Sequence, residues 1–241
     1  MAPASTSPQK TPFLKYPAER ATIMIERQGK GLVGRYLGML RTLVILLLAV
    51  VAVVVMTGPA EAATIRLYGV EVTGTHFVFV CDASRTMGGK EPTPLATAKA
   101  VIDACLAQLT GTEQFSIIVY SNKIQQFGVE GQGRSPNASD ENKLAGREFL
   151  AEFSPEGEAN HNAAVAASIS DEPDVVIVLS DGSGEPMTGL ELRKFNAANE
   201  TKAKIYAIEF GYGPPFGLGS FARQLAKENG GKTIYVDLLK K

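Results

Sequence analysis

Two apolar runs restrict the fold more than any other feature of the chain. Phe77-Val-Phe-Val-Cys81 ends at Asp82, and Val175-Val-Ile-Val-Leu179 ends, one residue on, at Asp181. Continuous runs of Val, Ile and Phe this short have no polar face, so they fit strands covered on both sides. Each is followed by a loop of small and hydroxylated residues, Asp82-Ala-Ser-Arg-Thr-Met-Gly-Gly89 and Ser180-Asp-Gly-Ser183. Buried strands running into polar loops belong to α/β proteins with a mostly parallel sheet.

The stretches around these runs alternate between strand and helix. A helix is expected over Pro94–Leu109, with Thr93 as N-cap and Pro94 at its first position. Strands are expected at Gln114–Tyr120 and Lys123–Phe127, the second shorter and more polar. Helices follow over Asp140–Phe153, with Leu144, Phe149 and Leu150 inward, and over Asn162–Ile169. After the Asp174–Ser180 strand come a helix at Leu190–Thr201, a strand at Lys204–Phe210, a helix at Ser220–Glu228 and a last strand at Thr233–Val236. Val70–Gly74 is expected as a short edge strand turning into the first buried one. The fold class is therefore a Rossmann-like, doubly wound, mostly parallel sheet flanked by helices.

The first 62 residues differ in kind. Residues 1–36 are rich in Pro, Ser, Thr, Lys and Arg without periodicity and are expected to be a disordered cytoplasmic segment. Residues 1–41 carry +5, leaving −6 for the rest of a chain whose total is −1. Leu43–Met56 is an uninterrupted apolar run, short for a membrane span of about 20 residues and close to a signal-peptide core. Ala60-Glu61-Ala62 offers a small-x-small cleavage site. Residues 37–62 are therefore expected to be a signal peptide or an uncleaved anchor, with the membrane contact through residues 37–57. Both place residues 63–241 outside the membrane. A basic head, an acidic body, no Trp and no aromatic-laced basic patch argue against nucleic-acid binding.

Cys81 and Cys105 lie in apolar surroundings without a CxxC or Cys/His cluster, so buried inert thiols are expected, with a disulfide as the alternative. His161 stands in a polar loop and is expected to be solvated; His76 opens the first buried strand. Asn137-Ala-Ser139 matches a glycosylation sequon of little weight. Gly211–Gly219 is a glycine- and proline-rich loop without phosphate-loop spacing, with Tyr212 and Phe216 as candidate contact residues.

In an open α/β sheet, ligands sit at the carboxyl ends of the strands. Two carboxylates and several hydroxyls there suit a hard cation: Mg²⁺ foremost, with Ca²⁺ or Mn²⁺ as alternatives. Here the chain resembles the von Willebrand factor type A domains, in their bacterial form. Asp82-Ala-Ser84-Arg-Thr86 is similar to their Asp-x-Ser-x-Ser motif, Ser180-Asp181-Gly182 to Thr-Asp-Gly, and Gln224–Gly231 to the final helix and turn. The likeness spans about residues 70–238. It implies a metal-ion-dependent adhesion site in which Asp82, Ser84, Thr86 and Asp181 hold a divalent cation and a partner protein's carboxylate completes it. Two departures stand out. Thr86 replaces Ser, and the loop expected to read Gly-Gly-Thr reads Gly157-Glu158-Ala159, so Asn160 or Glu158 would have to supply the missing oxygen. The implied function is protein binding without catalysis. The alternatives are a structural component of a surface assembly and an Asp-dependent hydrolase or phosphatase; such phosphatases carry a second Asp where this chain has Ser84.

Overall fold

A computed structural model describes residues 39–46, 62–128, 135–183, 185–215 and 219–240. The basic segment, most of the apolar run, Ala60 and Glu61 of the cleavage site and Phe216 lie outside the described residues. The chain divides into two units, Met1–Pro59 and Ala60–Lys241. In the first, residues 39–46 are helical and exposed (α1). Among the described residues, no helix is long and apolar enough to cross a membrane.

The second unit begins with a ribbon. β1 (Ala63–Leu67) and β2 (Val70–Gly74) pair antiparallel, and Tyr68 and Gly69 join them with φ of 47° and 83°. Two positive φ values in a two-residue loop match the type I′ turn that suits strand twist. Ala63, Ile65 and Leu67 alternate inward between exposed Thr64 and Arg66. β2 is thus not an edge strand of the main sheet, as its sequence suggested; its partner is β1.

The main sheet has six strands in the order β5-β4-β3-β6-β7-β8. These are β3 (His76–Asp82), β4 (Gln114–Tyr120), β5 (Ile124–Phe127), β6 (Val175–Ser180), β7 (Lys204–Gly211) and β8 (Thr233–Asp237). All neighbours are parallel except β5, a short and half-exposed edge strand antiparallel to β4. Every residue of β3 and β6 is buried. The helices are α2 (Pro94–Leu106), α3 (Asp140–Ala151), α4 (His161–Ser168), α5 (Gly189–Ala198) and α6 (Phe221–Glu228). Phe77, Phe79 and Cys81 pack with α2, α3 and the ribbon; Val78 and Val80 pack with α4, α5 and α6. Sheet and helices thus form three layers around two cores.

The caps follow the sequence. Thr93 accepts from the Ala96 N–H at 3.1 Å with Pro94 beginning α2, and Thr188 and Glu191 form a capping box on α5. One expected face is wrong. Leu144 is 54% exposed, while Lys143, Gly146 and Leu150 face inward. Gly146 lets α3 approach the sheet so closely that an added Cβ would lie 3.1 Å from the Phe115 ring. Lys143 reaches inward and donates to the Leu109 carbonyl at 2.7 Å. That close approach rotates Leu144 away from the core.

Both cysteines are buried, free thiols, each raised to about 12 by burial. His76 opens β3 as expected and meets Asp171 at 3.2 Å.

Candidate functional site

The chain leaves β3 for the β4–β5 side of the sheet and returns to β6 on the other side of β3, so the winding reverses between β3 and β6. Crevices form at such reversals, outside the carboxyl ends of the strands. Asp82 ends β3 and Asp181 follows β6. The topology therefore brings together two carboxylates almost a hundred residues apart.

Asp82 is fully buried, and its Oδ1 accepts from the Ser84 N–H at 2.7 Å. Oδ2 is buried without a hydrogen-bond partner. Burial raises Asp82 to about 6, against the lowering effects of Ser84 and the Tyr120 hydroxyl, and Asp181 adds to the rise. The Ser84 hydroxyl, 3.1 Å from that of Thr86, lies in the same loop, and Thr86 in turn reaches the Ser183 hydroxyl at 3.4 Å. Asp181 Oδ1 accepts from the Ser183 N–H at 3.0 Å. Asp82, Ser84, Thr86 and Asp181 thus form one polar constellation, joined by Ser183, which the sequence placed beside Asp181 without giving it a role. Among the described residues, no group of three or more His, Cys, Asp or Glu side chains could hold a metal. This constellation has two carboxylates, and the rest of its oxygens are hydroxyls.

The loop before α4 is tied to the Asp82 loop by main-chain bonds. Glu156 N–H donates to the Ala83 carbonyl at 2.9 Å, and Arg85 N–H to the Gly157 carbonyl at 3.1 Å. Gly157 has φ of +67°, and a Cβ there would lie 2.4 Å from the Asn122 amide nitrogen, so glycine is required on both counts. Glu158 donates its N–H to Asn122 Oδ1 at 2.8 Å. Asn160 Oδ1 accepts from the Ala163 N–H at 3.2 Å, capping α4. Ala159 packs against the α4–α6 core. In this geometry the oxygen of Asn160 is engaged by its own helix.

His161 is not a solvated loop residue. It opens α4, half-buried, with its ring stacked on Phe221 at a centroid distance of 4.1 Å. Its Nδ1 lies 3.0 Å from the Tyr120 hydroxyl. Burial lowers the His161 pKa, against the raising effect of Asp181. Tyr120 is fully buried, and its hydroxyl is raised well above the ordinary range by burial and then by Asp82. Nothing local marks Tyr120, and the polar residues around His161 suggested a solvated side chain. One ends a strand and the other begins a helix, and only sheet pairing brings them to Asp82.

A second cleft, of about 280 Å³, borders Asp181 and holds Glu209, Ser220, Arg223 and Tyr235. Glu209, 1% exposed, is held by Arg223 Nη2 at 2.5 Å and accepts from the Ser220 hydroxyl. Tyr212, expected as a contact residue, donates its hydroxyl to the Lys90 carbonyl and lies 3.2 Å from that of Pro92, which joins the glycine-rich loop to the one after β3.

No family model matches the sequence, and no curated protein matches it. Solved structures do match. A von Willebrand factor type A protein from Catenulispora acidiphila superposes with a TM-score of 0.55 at 16% identity, covering 69% of this chain and 39% of that one. Proximal thread matrix protein 1 from the mussel byssus gives a TM-score of 0.49 at 16% identity, covering 69% of this chain and 43% of that one. The manganese-loaded TRAP protein of Plasmodium vivax gives 0.46 at 14% identity, covering 69% and 70%. The chain spans about two-fifths of the length of the first two. Its fold is of the von Willebrand factor type A kind, as the motif resemblance implied.

Proposed function

We propose that residues 63–241 form a protein-binding module that engages its partner at the carboxyl edge of the sheet, through a divalent cation held by Asp82, Ser84, Thr86 and Asp181. The observation that carries this reading is Asp82 Oδ2, a carboxylate oxygen buried without a partner beside a second carboxylate and three hydroxyls. A buried, unsatisfied carboxylate oxygen is costly unless something completes it. Hard oxygens from carboxylates and hydroxyls suit Mg²⁺, with Ca²⁺ or Mn²⁺ as alternatives. A cation bound there would offer a remaining position to a carboxylate of the partner. The module works by binding and not by catalysis, and its place is outside the membrane, tethered or exported through residues 37–57.

Calorimetric titration of the full chain with Mg²⁺ and Mn²⁺ tests the site, with Asp82→Ala and Asp181→Ala as controls. Binding at millimolar metal or below, abolished in both variants, is the expected result. Partner capture from envelope extract in Mg²⁺ or in EDTA then tests the use of the site. Silence in calorimetry, or capture indifferent to EDTA, overturns the metal-dependent reading.

A further inference from the structure

Asp82 and Tyr120 are register partners on β3 and β4. Side chains alternate along a strand, so Asp82 shares a face with Val78 and Val80, whose core includes Tyr120. The carboxyl and the phenol therefore lie side by side, beneath the start of α4. There the Tyr120 hydroxyl meets His161 Nδ1 at 3.0 Å.

Two proton arrangements fit that distance. A phenol has one proton to donate and lone pairs to accept with; a neutral imidazole nitrogen either donates or accepts. If Tyr120 donates to Nδ1, its oxygen turns only lone pairs toward the Asp82 carboxylate. If Nδ1–H donates to the Tyr120 oxygen, the phenol proton is free to point at Asp82. The first places electron-rich oxygens against each other in a buried setting. The second supplies a donor to a carboxylate whose Oδ2 lacks one.

We propose that His161 carries its proton on Nδ1, and that His161 and Tyr120 form a two-step chain of donors that orients the Asp82 carboxylate. His161 suits this part. Burial lowers its pKa and so favours the neutral ring, the stack on Phe221 fixes its plane, and its place at the head of α4 anchors its backbone. Tyr120 suits it as well, because its ring is locked in the core and only its hydroxyl orientation is left to choose. Both are positioning residues and neither is a cation ligand. Partners of this kind around metal ligands fix their orientation and typically change affinity 10- to 100-fold when lost. An ionised carboxylate has lone pairs enough to accept the phenol proton and hold a cation together, so the chain of donors goes beyond the metal reading, neither depending on it nor displacing it.

The test is the tautomer of His161 in the full chain, read from two- and three-bond ¹H–¹⁵N correlations after ¹⁵N-histidine labelling at neutral pH. His76 and His161 are the only histidines, and a His161→Asn variant assigns the signals. The expected result is a proton on Nδ1 in the wild type and a shift toward Nε2, the tautomer free histidine favours, in Tyr120→Phe. Mn²⁺ affinity should fall about tenfold in Tyr120→Phe. A wild-type His161 protonated on Nε2 overturns the proposal without any variant, and so does a tautomer indifferent to loss of the phenol oxygen. A wild type with the Nδ1 proton and the Tyr120→Phe shift, but no Mn²⁺ uptake, upholds the donor chain and rejects the metal site.

Discussion

Asp82 stands opposite Tyr120 across the β3–β4 pairing, and both are buried. A carboxyl is thereby set between an aromatic wall and a crevice, which makes its charge state a property of the fold.

The first prediction concerns that charge. Burial raises Asp82 from 3.8 to about 6. The folded state therefore holds this proton more tightly than the unfolded one. The associated stability is fully present below about pH 4, declines as pH rises toward 6 and stays lost above. Urea unfolding of wild type and Asp82→Asn in EDTA, from pH 4 to pH 7.5, should show the difference moving in favour of the variant by up to about 3 kcal/mol. A difference that does not change with pH would contradict the assignment.

The second concerns the Glu209 cleft. Arg223 is the cation on a nearly inaccessible carboxylate. Arg223→Met should destabilise by about 3–5 kcal/mol by stranding that charge, and adding Glu209→Gln should recover much of the loss. Denaturation midpoints of the single and double variants decide it.

The thiols give a third. With both cysteines buried and raised to about 12, neither should react with a maleimide at pH 7.5 in the native state, and both should react in guanidinium. Mass spectrometry of the labelled chain reads the outcome, and fast native labelling of either would show that the core opens.

Adjacent glycines after α6 give a fourth. Gly230 has φ of +69° with open space around it, whereas a Cβ on Gly231 would fall 1.8 Å from the Ile205 carbonyl oxygen. Gly230→Ala should cost about 1–2 kcal/mol from backbone strain alone. Gly231→Ala should cost about 3 kcal/mol or more, because main chain must move. Comparable losses in urea midpoints would contradict the close approach.

The strands of the central sheet were legible because burial on both faces leaves a continuous apolar run, as at Val175–Ser180. β1 was missed, although Ala63, Ile65 and Leu67 alternate inward; the five residues directly follow a credible cleavage site. Leu144 misled because helical periodicity alone does not weigh how closely Gly146 lets a helix approach. The motifs pointed to Asp82, Ser84, Thr86 and Asp181, since the acids follow buried strands. Ser183, Tyr120 and His161 join them through pairings between distant segments, which local pattern does not encode.

The bonds between the Asp82 loop and residues 156–157 use main-chain atoms alone. Apart from Gly157, that junction asks nothing of side-chain identity. Glu156 and Glu158 are exposed, so their side chains can be replaced while the loop keeps its path. Substitutions at these positions therefore redraw the surface beside the loop without disturbing the frame that holds the two aspartates.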